Sequence, residues 1–305
     1  MSERGYVGLV GLGLMGTAMS TRLLAAGYGV VGFDVSADAR EAHRSRGGEV
    51  AGSTAEVAAR CRVLLLSLPN GAVSRGACLD PGGVRDGAGA DTIVLETSTT
   101  LPEEAEALAA DLKGGGVTVM DAALSGSSDM VARGETLGMV GGDAAALGVV
   151  EPVLRAFCRE VRHVGVTGDG MRAKLVVNYV LSINRFALAE GLVFAERLQL
   201  DAEQALGVLR ASAAFSQAMN MWGDRMLERR YSRPVSRIRQ HDKDAQLMLT
   251  LGRRHGAPMF AMTQLNSLVQ IALANGWGDA DNAVLIEVLR RLAALGDPDD
   301  AAPTA

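Results

Sequence analysis

Lysine is scarce in this sequence. Of its 30 basic residues only Lys113, Lys174 and Lys243 are lysines, and the other 27 are arginines. An arginine side chain stays charged over the accessible pH range, whereas a lysine can lose its proton where its surroundings favour the neutral amine. Each lysine is therefore a candidate for a role that arginine cannot fill, and proton transfer is such a role.

Cysteine is also scarce. Cys61, Cys78 and Cys158 form no CxxC pair and are odd in number, which excludes a disulfide framework and favours reduced thiols. Three of the four histidines are isolated and lack the spacing of metal ligands, so we expect no metal.

Strong charge and long apolar runs are lacking too. The formal net charge of −5 gives no reason to expect nucleic acid or an anionic membrane as partner. No uninterrupted apolar run is long enough to span a bilayer, and the early apolar run lacks a signal-peptide cleavage site. We therefore expect a cytoplasmic protein.

Short β-branched runs alternate with segments of helical period as far as about residue 165. This alternation predicts an α/β domain of Rossmann type with a largely parallel sheet. The candidate strands are Tyr6–Val10, Gly29–Phe33, Val63–Ser67, Thr92–Glu96 and Val117–Met120, with Leu137–Val140 and Val161–Val164 extending the sheet. The clearest candidate helices between them are Thr17–Ala26 and Pro102–Lys113.

The strand signal almost ends after residue 168, and an all-α domain is expected there. Gly170 to Leu200 contains no proline and, after Gly170, only one glycine, which predicts one long helix joining the two domains. We predict the α/β domain over residues 1–166, the all-α domain over 167–296 and a disordered tail over 297–305.

A glycine-rich turn follows the first strand and reads Gly11, Leu12, Gly13, Leu14, Met15, Gly16. Between a strand and a helix, such glycines permit a tight turn and a close approach of the backbone to a pyrophosphate. The second strand ends in Asp34, where an acidic residue binds a ribose diol and repels a 2′-phosphate. The pattern predicts a dinucleotide site that favours NAD, although Arg40 and Arg44 are near enough to leave NADP open.

Lys174 and Asn178 are four residues apart, so a helix places them on one face, one turn apart. Leu181 and Arg185 continue that stripe. Beside a nicotinamide, a neutral lysine could take the proton of an alcohol while the amide orients the substrate. The alternative is a solvated lysine whose stem lies along apolar surface.

Two other polar clusters have simpler interpretations. His241 stands beside Asp242 and Lys243, but it lacks a paired carboxylate motif and Lys174 already fills the acid–base role. The segment GWGDADN, with Asp279, Asp281 and Asn282, suggests a cation loop but fits a helix-capping turn better.

Further motifs follow the glycine turn in order, namely LSLPN, ETSTTLP, DAALSGS, GETLGMVGG, GDGMRAKLVVN and RQHDKDAQL. Together with the turn, Asp34 and Lys174, they resemble the β-hydroxyacid dehydrogenases of the 3-hydroxyisobutyrate dehydrogenase type. These are short relatives of 6-phosphogluconate dehydrogenase. The resemblance runs from Tyr6 to about Leu295.

The resemblance implies roles for particular residues. Beyond the glycine turn and Asp34, the implied cofactor contacts are Leu68, Pro69, Asn70, Thr99 and Lys243. The implied substrate contacts are Ser125, the Gly126 backbone and Asn178, and Lys174 is the implied catalytic residue.

Two positions depart from the family pattern. Ser127 replaces a glycine, where its side chain could narrow the pocket or supply another hydrogen bond. Arg185 stands where an apolar residue is common. It could bind a second acidic group of the substrate, or form a salt bridge between domains or subunits.

The resemblance therefore implies NAD-dependent oxidation of a small β-hydroxy acid, or the reverse reduction, by a homodimer or homotetramer. One alternative is an imine reductase of the same architecture, in which another polar residue usually occupies the lysine position. The other is a non-catalytic nucleotide-binding protein.

Overall fold

A computed structural model describes residues 4–294. The tail predicted over 297–305 lies outside these residues. The chain divides after Lys174 into two compact units. The boundary predicted at 166/167 stays a prediction; it immediately precedes the long helix that contains the division.

The first unit is built on an eight-stranded sheet. Its strands are β1 (Tyr6–Val10), β2 (Gly29–Phe33), β3 (Glu49–Val50), β4 (Val63–Leu66), β5 (Ile93–Glu96), β6 (Thr118–Ser125), β7 (Thr136–Gly141) and β8 (Cys158–Gly165). Their spatial order is β3-β2-β1-β4-β5-β6-β7-β8, and every pairing is parallel except β6 with β7. The order 3-2-1-4-5-6 is that of dinucleotide-binding sheets, which confirms the Rossmann-type prediction.

The sheet is apolar on both faces because successive side chains of a strand point to opposite sides. Leu9 and Leu65 belong to the core on one face, and Val10 and Leu66 belong to the core on the other. All four are buried. A sheet with apolar side chains on both faces needs helices on both sides to bury them. The chain has a helix after nearly every strand.

The helices of the first unit are α1 (Leu14–Ala25), α2 (Ala37–Ser45), α3 (Thr54–Arg60), α4 (Gly71–Leu79), α5 (Val84–Gly87), α6 (Pro102–Leu112), α7 (Ser128–Arg133) and α8 (Ala144–Leu154). Helix α6 begins at Pro102, as predicted. Proline suits a first helical turn because its missing N–H would lack an intrahelical acceptor there.

Helix α9 (Asp169–Arg197) is the long helix that the sequence predicts, and it contains the division between the units. It is the one helix among residues 4–294 long and apolar enough to cross a membrane. Length and composition alone are weak grounds for a span. Moreover, Arg185 and Glu190 interrupt its apolar run.

The second unit is helical. After α9 it comprises α10 (Ala202–Ala211), α11 (Gln217–Leu227), α12 (Ile238–Arg254), α13 (Phe260–Ala274) and α14 (Leu285–Leu292). Its own apolar core includes Leu192, Trp222, Met262 and Ile286, all buried. The predicted all-α architecture after residue 168 is thereby confirmed.

Candidate active site

The glycine turn joins β1 to α1 with little room for side chains. Gly11 has a φ of +94°, and a Cβ there would lie 2.1 Å from the Ser67 carbonyl oxygen. A Cβ on Gly16 would lie 2.0 Å from the Gly11 carbonyl oxygen. Gly13 differs, because a Cβ built there meets no atom within 4 Å. The open space lies at the N-terminus of α1, where backbone N–H groups suit an anion such as a pyrophosphate.

The other turn residues flank this space. Leu12 is buried, Met15 is half-buried, and Leu14 is 76 % exposed. The Leu12 amide donates to Asp34 Oδ2 at 2.7 Å, and the Ser36 amide donates to Asp34 Oδ1 at 2.8 Å. The structure thus brings Asp34 to the glycine turn and fixes its carboxylate by backbone hydrogen bonds.

The two segments after β4 and β5 are joined by Glu96 and Ser98. The buried Glu96 carboxylate accepts a hydrogen bond from the Ser98 amide at 2.8 Å. In turn the Ser98 hydroxyl oxygen accepts from the Leu68 amide at 2.9 Å. Burial raises the pKa of Glu96 to about 7. One buried carboxyl therefore organises both segments that carry the predicted cofactor contacts.

The remaining predicted contacts on these segments are placed as follows. Asn70 caps α4, because its Oδ1 accepts from the Val73 amide at 3.0 Å. Pro69 is exposed and Thr99 is half-buried. Their contact with a cofactor stays a prediction.

Strand β6 ends in the segment that resembles a substrate motif. Ser125 and Gly126 are half-buried, and Gly126 has a φ of +149°, a conformation that favours glycine. Ser127 accepts a hydrogen bond from the Met130 amide at 3.3 Å and caps α7. This hydrogen bond is neither of the two roles considered for Ser127 toward the substrate, and both stay untested.

Asp121 ties β6 to the start of α9. Its buried carboxylate accepts from the Gly168 amide at 2.7 Å and from the Met171 amide at 2.6 Å. A Cβ on Gly170 would lie 2.7 Å from Asp121 Oδ2, so the glycine makes room for the carboxylate. Helix α9 thus begins at a position set by β6.

Lys174 lies one turn into α9 and is half-buried. Its Nζ donates to the Leu124 carbonyl oxygen at 2.6 Å. Leu124 directly precedes Ser125 and Gly126, so this hydrogen bond holds the ammonium group at the strand end that carries the predicted substrate ligands.

Asn178 follows on the same helix, in the second unit. Its Nδ2 donates to Asp244 Oδ2 at 3.1 Å, and Lys243 Nζ lies 3.8 Å from Asp244 Oδ1. The structure therefore brings Asn178 to the Lys243-Asp244 pair that the resemblance picks out on α12. The roles of Asn178 and Lys243 toward ligands stay predictions.

Two residues in this region were not singled out from the sequence, namely Asp121 as the anchor of α9 and Glu96 as the anchor of the cofactor segments. Glu96 is at the carboxyl end of β5, and Asp121 is its register partner on the parallel strand β6, beside the edge where sites of such folds lie. That position is the signal that could have found them.

Two models of known protein families match successive parts of the chain. Residues 6–165 match the model of the NAD-binding domain of 6-phosphogluconate dehydrogenase. Residues 168–289 match a model described as NAD-binding of NADP-dependent 3-hydroxyisobutyrate dehydrogenase.

Individual relatives agree with these matches. A probable 3-hydroxyisobutyrate dehydrogenase of Mycobacterium bovis is 34 % identical over 67 % of this chain and 68 % of its own. The 2-(hydroxymethyl)glutarate dehydrogenase of Eubacterium barkeri is 28 % identical over 94 % of this chain and 95 % of its own. The structure of Mycobacterium tuberculosis 3-hydroxyisobutyrate dehydrogenase with L-serine is 28 % identical in sequence. It matches 95 % of this chain and 99 % of its own with a TM-score of 0.86.

Relatives of this kind are dehydrogenases and reductases. The fold and the glycine turn therefore define an oxidoreductase with NAD(P)-binding domains. The chain belongs to the β-hydroxyacid dehydrogenases of the 3-hydroxyisobutyrate dehydrogenase type.

Two glycines of the turn should respond differently to alanine. Gly13→Ala should leave the melting temperature unchanged and weaken NAD binding about tenfold or more, because its methyl group enters the open space. Gly16→Ala should lower the melting temperature, because its Cβ collides with the Gly11 carbonyl. Thermal unfolding and titration with NAD measure both effects, and a Gly13→Ala protein that binds NAD normally would contradict this assignment of the space.

Glu96 should make stability depend on pH. Because its pKa is about 7 in the folded protein against 4.5 ordinarily, the folded state keeps the proton to higher pH. The stabilisation is present below pH 4.5 and is lost as pH rises to about 7. The unfolding free energy of the wild type should therefore fall between about pH 5 and pH 8. In the Glu96→Gln variant this fall should be smaller by roughly 1–3 kcal/mol.

Urea unfolding at both pH values measures this difference. Glu203→Gln is the control, because Glu203 is exposed on α10. If the Glu96 and Glu203 variants follow the same pH dependence, Glu96 does not titrate as described.

Proposed function

We propose that the chain oxidises the CH–OH group of a small β-hydroxy acid with NAD, or reduces the matching semialdehyde or keto acid, with Lys174 as general acid–base. The observation that carries the proposal is the hydrogen bond from Lys174 Nζ to the Leu124 carbonyl oxygen. It fixes an ionisable amine next to Ser125 and Gly126, the proposed ligands of the substrate carboxylate.

The residues of the first turn fit the cofactor. The space at Gly13 and the N-terminus of α1 suit a pyrophosphate, and Asp34 is held beside them to accept hydrogen bonds from a ribose diol. When bound, the nicotinamide accepts or supplies the hydride. Leu68, Pro69, Asn70, Thr99 and Lys243 are the further residues proposed to hold it.

The chain's own residues then handle the substrate and the proton. Ser125 and the Gly126 amide bind the carboxylate, and Asn178 orients the hydroxyl group. In the oxidation, neutral Lys174 takes the hydroxyl proton, and in the reduction its ammonium form returns it. Fixing both reactants and the base in one geometry supplies much of the rate gain expected of such a site.

Asp34 supports NAD over NADP. Both carboxylate oxygens accept backbone hydrogen bonds, which hold the side chain beside the glycine turn. An acidic residue at the end of the second strand binds a ribose diol and repels a 2′-phosphate. Arg40, the nearest candidate for a phosphate ligand, donates instead to the carbonyl oxygens of Asp34 and Val35.

An exposed apolar face on α9 supports association of copies of the chain. Val176, Val180 and Phe194 lie on it and are each at least half exposed. Helical spacing places them on one side over about five turns. The homodimer or homotetramer remains a proposal.

Two alternatives are less well supported. An imine reductase shares the architecture but usually has another polar residue in place of Lys174. In a non-catalytic nucleotide-binding protein, neither Lys174 nor the substrate motif at Ser125 would have a chemical role.

Lys174→Arg tests the acid–base role. Because arginine keeps its proton, turnover of hydroxy acids should fall about 10²–10⁴-fold while NAD still binds as in the wild type. Lys113→Arg, at an exposed position, is the control and should change neither quantity. The assay follows NAD reduction with hydroxyisobutyrate, hydroxybutyrate and threonate.

Wild-type-like turnover in the Lys174→Arg variant would refute the acid–base role. No turnover by the wild type across these acids, together with reduction of imines, would place the imine reductase first.

Asp34→Asn tests the choice of cofactor. Asparagine keeps an acceptor for one of the two backbone amides and removes the charge that repels a 2′-phosphate. The ratio of kcat/KM for NAD to that for NADP should fall at least about tenfold. Asp38→Asn, an exposed acidic neighbour, is the control. A wild type that prefers NADP would contradict the role of Asp34.

A further inference from the structure

Arg185 lies in a buried polar cluster of the second unit. The residue is only 4 % exposed, and its Nη2 donates to His241 Nδ1 at 3.2 Å. Its guanidinium group lies 4.8 Å from the ring centre of Trp222. Because Arg185 is buried within a single chain, it does not reach a subunit surface, and a salt bridge between subunits is therefore excluded.

The cluster has more hydrogen-bond donors than acceptors. Burial and the nearby Arg185 charge lower the pKa of His241 well below its usual value, so the ring is neutral. Since Nδ1 accepts from Arg185, Nε2 carries the proton. That group, Arg185 Nε and Trp222 Nε1 are all buried and have no hydrogen-bond partner. An acceptor is what this arrangement requires.

The positive charge of the cluster is also poorly balanced. No ion pair of residues 4–294 includes Arg185, and burial lowers its pKa to about 10, which leaves it charged at neutral pH. The two carboxylates that act on it have other hydrogen bonds. Asp281 accepts from the Val235 and Ala283 amides at 2.6 and 2.9 Å, and Asp244 accepts from Asn178.

The Asp281 bond to the Ala283 amide is the helix-capping turn predicted from the sequence, and the cation nearest to that carboxylate among its ion pairs is Arg225, at 3.7 Å. A buried charge is costly unless an opposite charge and hydrogen bonds compensate it. The cluster is therefore suited to an anion from outside the fold.

The cluster adjoins Asn178, the proposed substrate ligand in the same unit. His241 and Asp244 are three residues apart on α12, so they share one face about 5–6 Å apart. Arg185 binds the first and Asn178 binds the second. Arg185 and Asn178 are about two helical turns apart on α9, and both side chains meet this face of α12. The Asp244 side chain, next to the cluster on α12, is 14 % exposed and reaches solvent.

We propose that Arg185, together with the N–H groups of His241 and Trp222, binds a second carboxylate of the substrate, remote from the reacting hydroxyl. The substrate class is then a β-hydroxy acid with two carboxylates. This inference rests on the proposed function, because it takes Asn178 as a substrate ligand. Arg185 is a specificity-determining residue and takes no part in proton transfer.

Isobutyrate and methylsuccinate provide a matched test, because they differ by one carboxylate and neither carries the reacting hydroxyl group. Calorimetric titration of the full chain saturated with NADH should show methylsuccinate binding at least about tenfold more tightly. Arg185→Met should abolish this preference and leave isobutyrate binding unchanged. Its melting temperature should equal or exceed that of the wild type, because methionine removes an uncompensated buried charge.

Two further variants complete the design. Arg185→Lys keeps a charge without the planar fork and should retain a reduced preference. Arg210→Met is the matched control, because Arg210 also has a buried Nε without a partner but is paired with Asp224 at 3.0 Å. It should lose stability and keep the preference.

Equal binding of the two acids by the wild type would overturn the proposal, whether or not the variants fold. So would a preference that survives Arg185→Met, or a large loss of melting temperature in that variant.

Measurements of turnover distinguish a failure of this proposal from a failure of the proposed function. If the protein oxidises 3-hydroxyisobutyrate at least as well as 2-(hydroxymethyl)succinate, the proposed site for a second carboxylate is refuted and the proposed reaction is not. Arg185-dependent binding of methylsuccinate without oxidation of any hydroxy acid refutes the proposed reaction alone.

Discussion

The hydrogen bond between Lys174 Nζ and the Leu124 carbonyl oxygen is the contact on which the proposed chemistry depends. It is possible only because α9 begins at a fixed place beside β6. Asp121 fixes that place through two backbone hydrogen bonds, and Gly170 leaves room for its carboxylate. A buried carboxylate that no substrate needs to touch therefore determines where the amine lies.

The same physical device recurs elsewhere in the molecule. Asp34 fixes the glycine turn, Glu96 joins two segments beside it, and Asp281 holds a turn of the second unit, each by accepting backbone hydrogen bonds. Arg185 is different, because it is a buried charge that the fold does not compensate with an ion pair among residues 4–294. That contrast makes it a candidate for ligand recognition.

Much of the fold could be predicted from local patterns. Strands β1 and β2 match their predicted ends, because each is a short β-branched run bounded by glycine or a polar residue. The predicted helix Thr17–Ala26 instead begins at Leu14, since the residues before Thr17 read as part of a glycine turn. Strand β3 was missed because two residues carry no periodicity. The antiparallel pairing of β6 with β7 also leaves no local trace.

The candidate site could be proposed from the sequence where its residues are close together, as for the glycine turn and the Lys174–Asn178 pair, and their roles stay predictions. Its supporting contacts could not, because they join distant segments. Asp121 binds amides 47 and 50 residues away, and Arg185 meets His241 across 56 residues. Nor does the sequence show that Ser127 would cap a helix.

A crystal structure of the full chain with NADH and a non-reacting hydroxy acid tests the central claim most directly. We predict that Lys174 Nζ lies about 2.6–3.2 Å from the hydroxyl oxygen, the distance that proton transfer requires. A complex in which the hydroxyl is out of reach, with Nζ still bonded to the Leu124 carbonyl oxygen, would contradict the account.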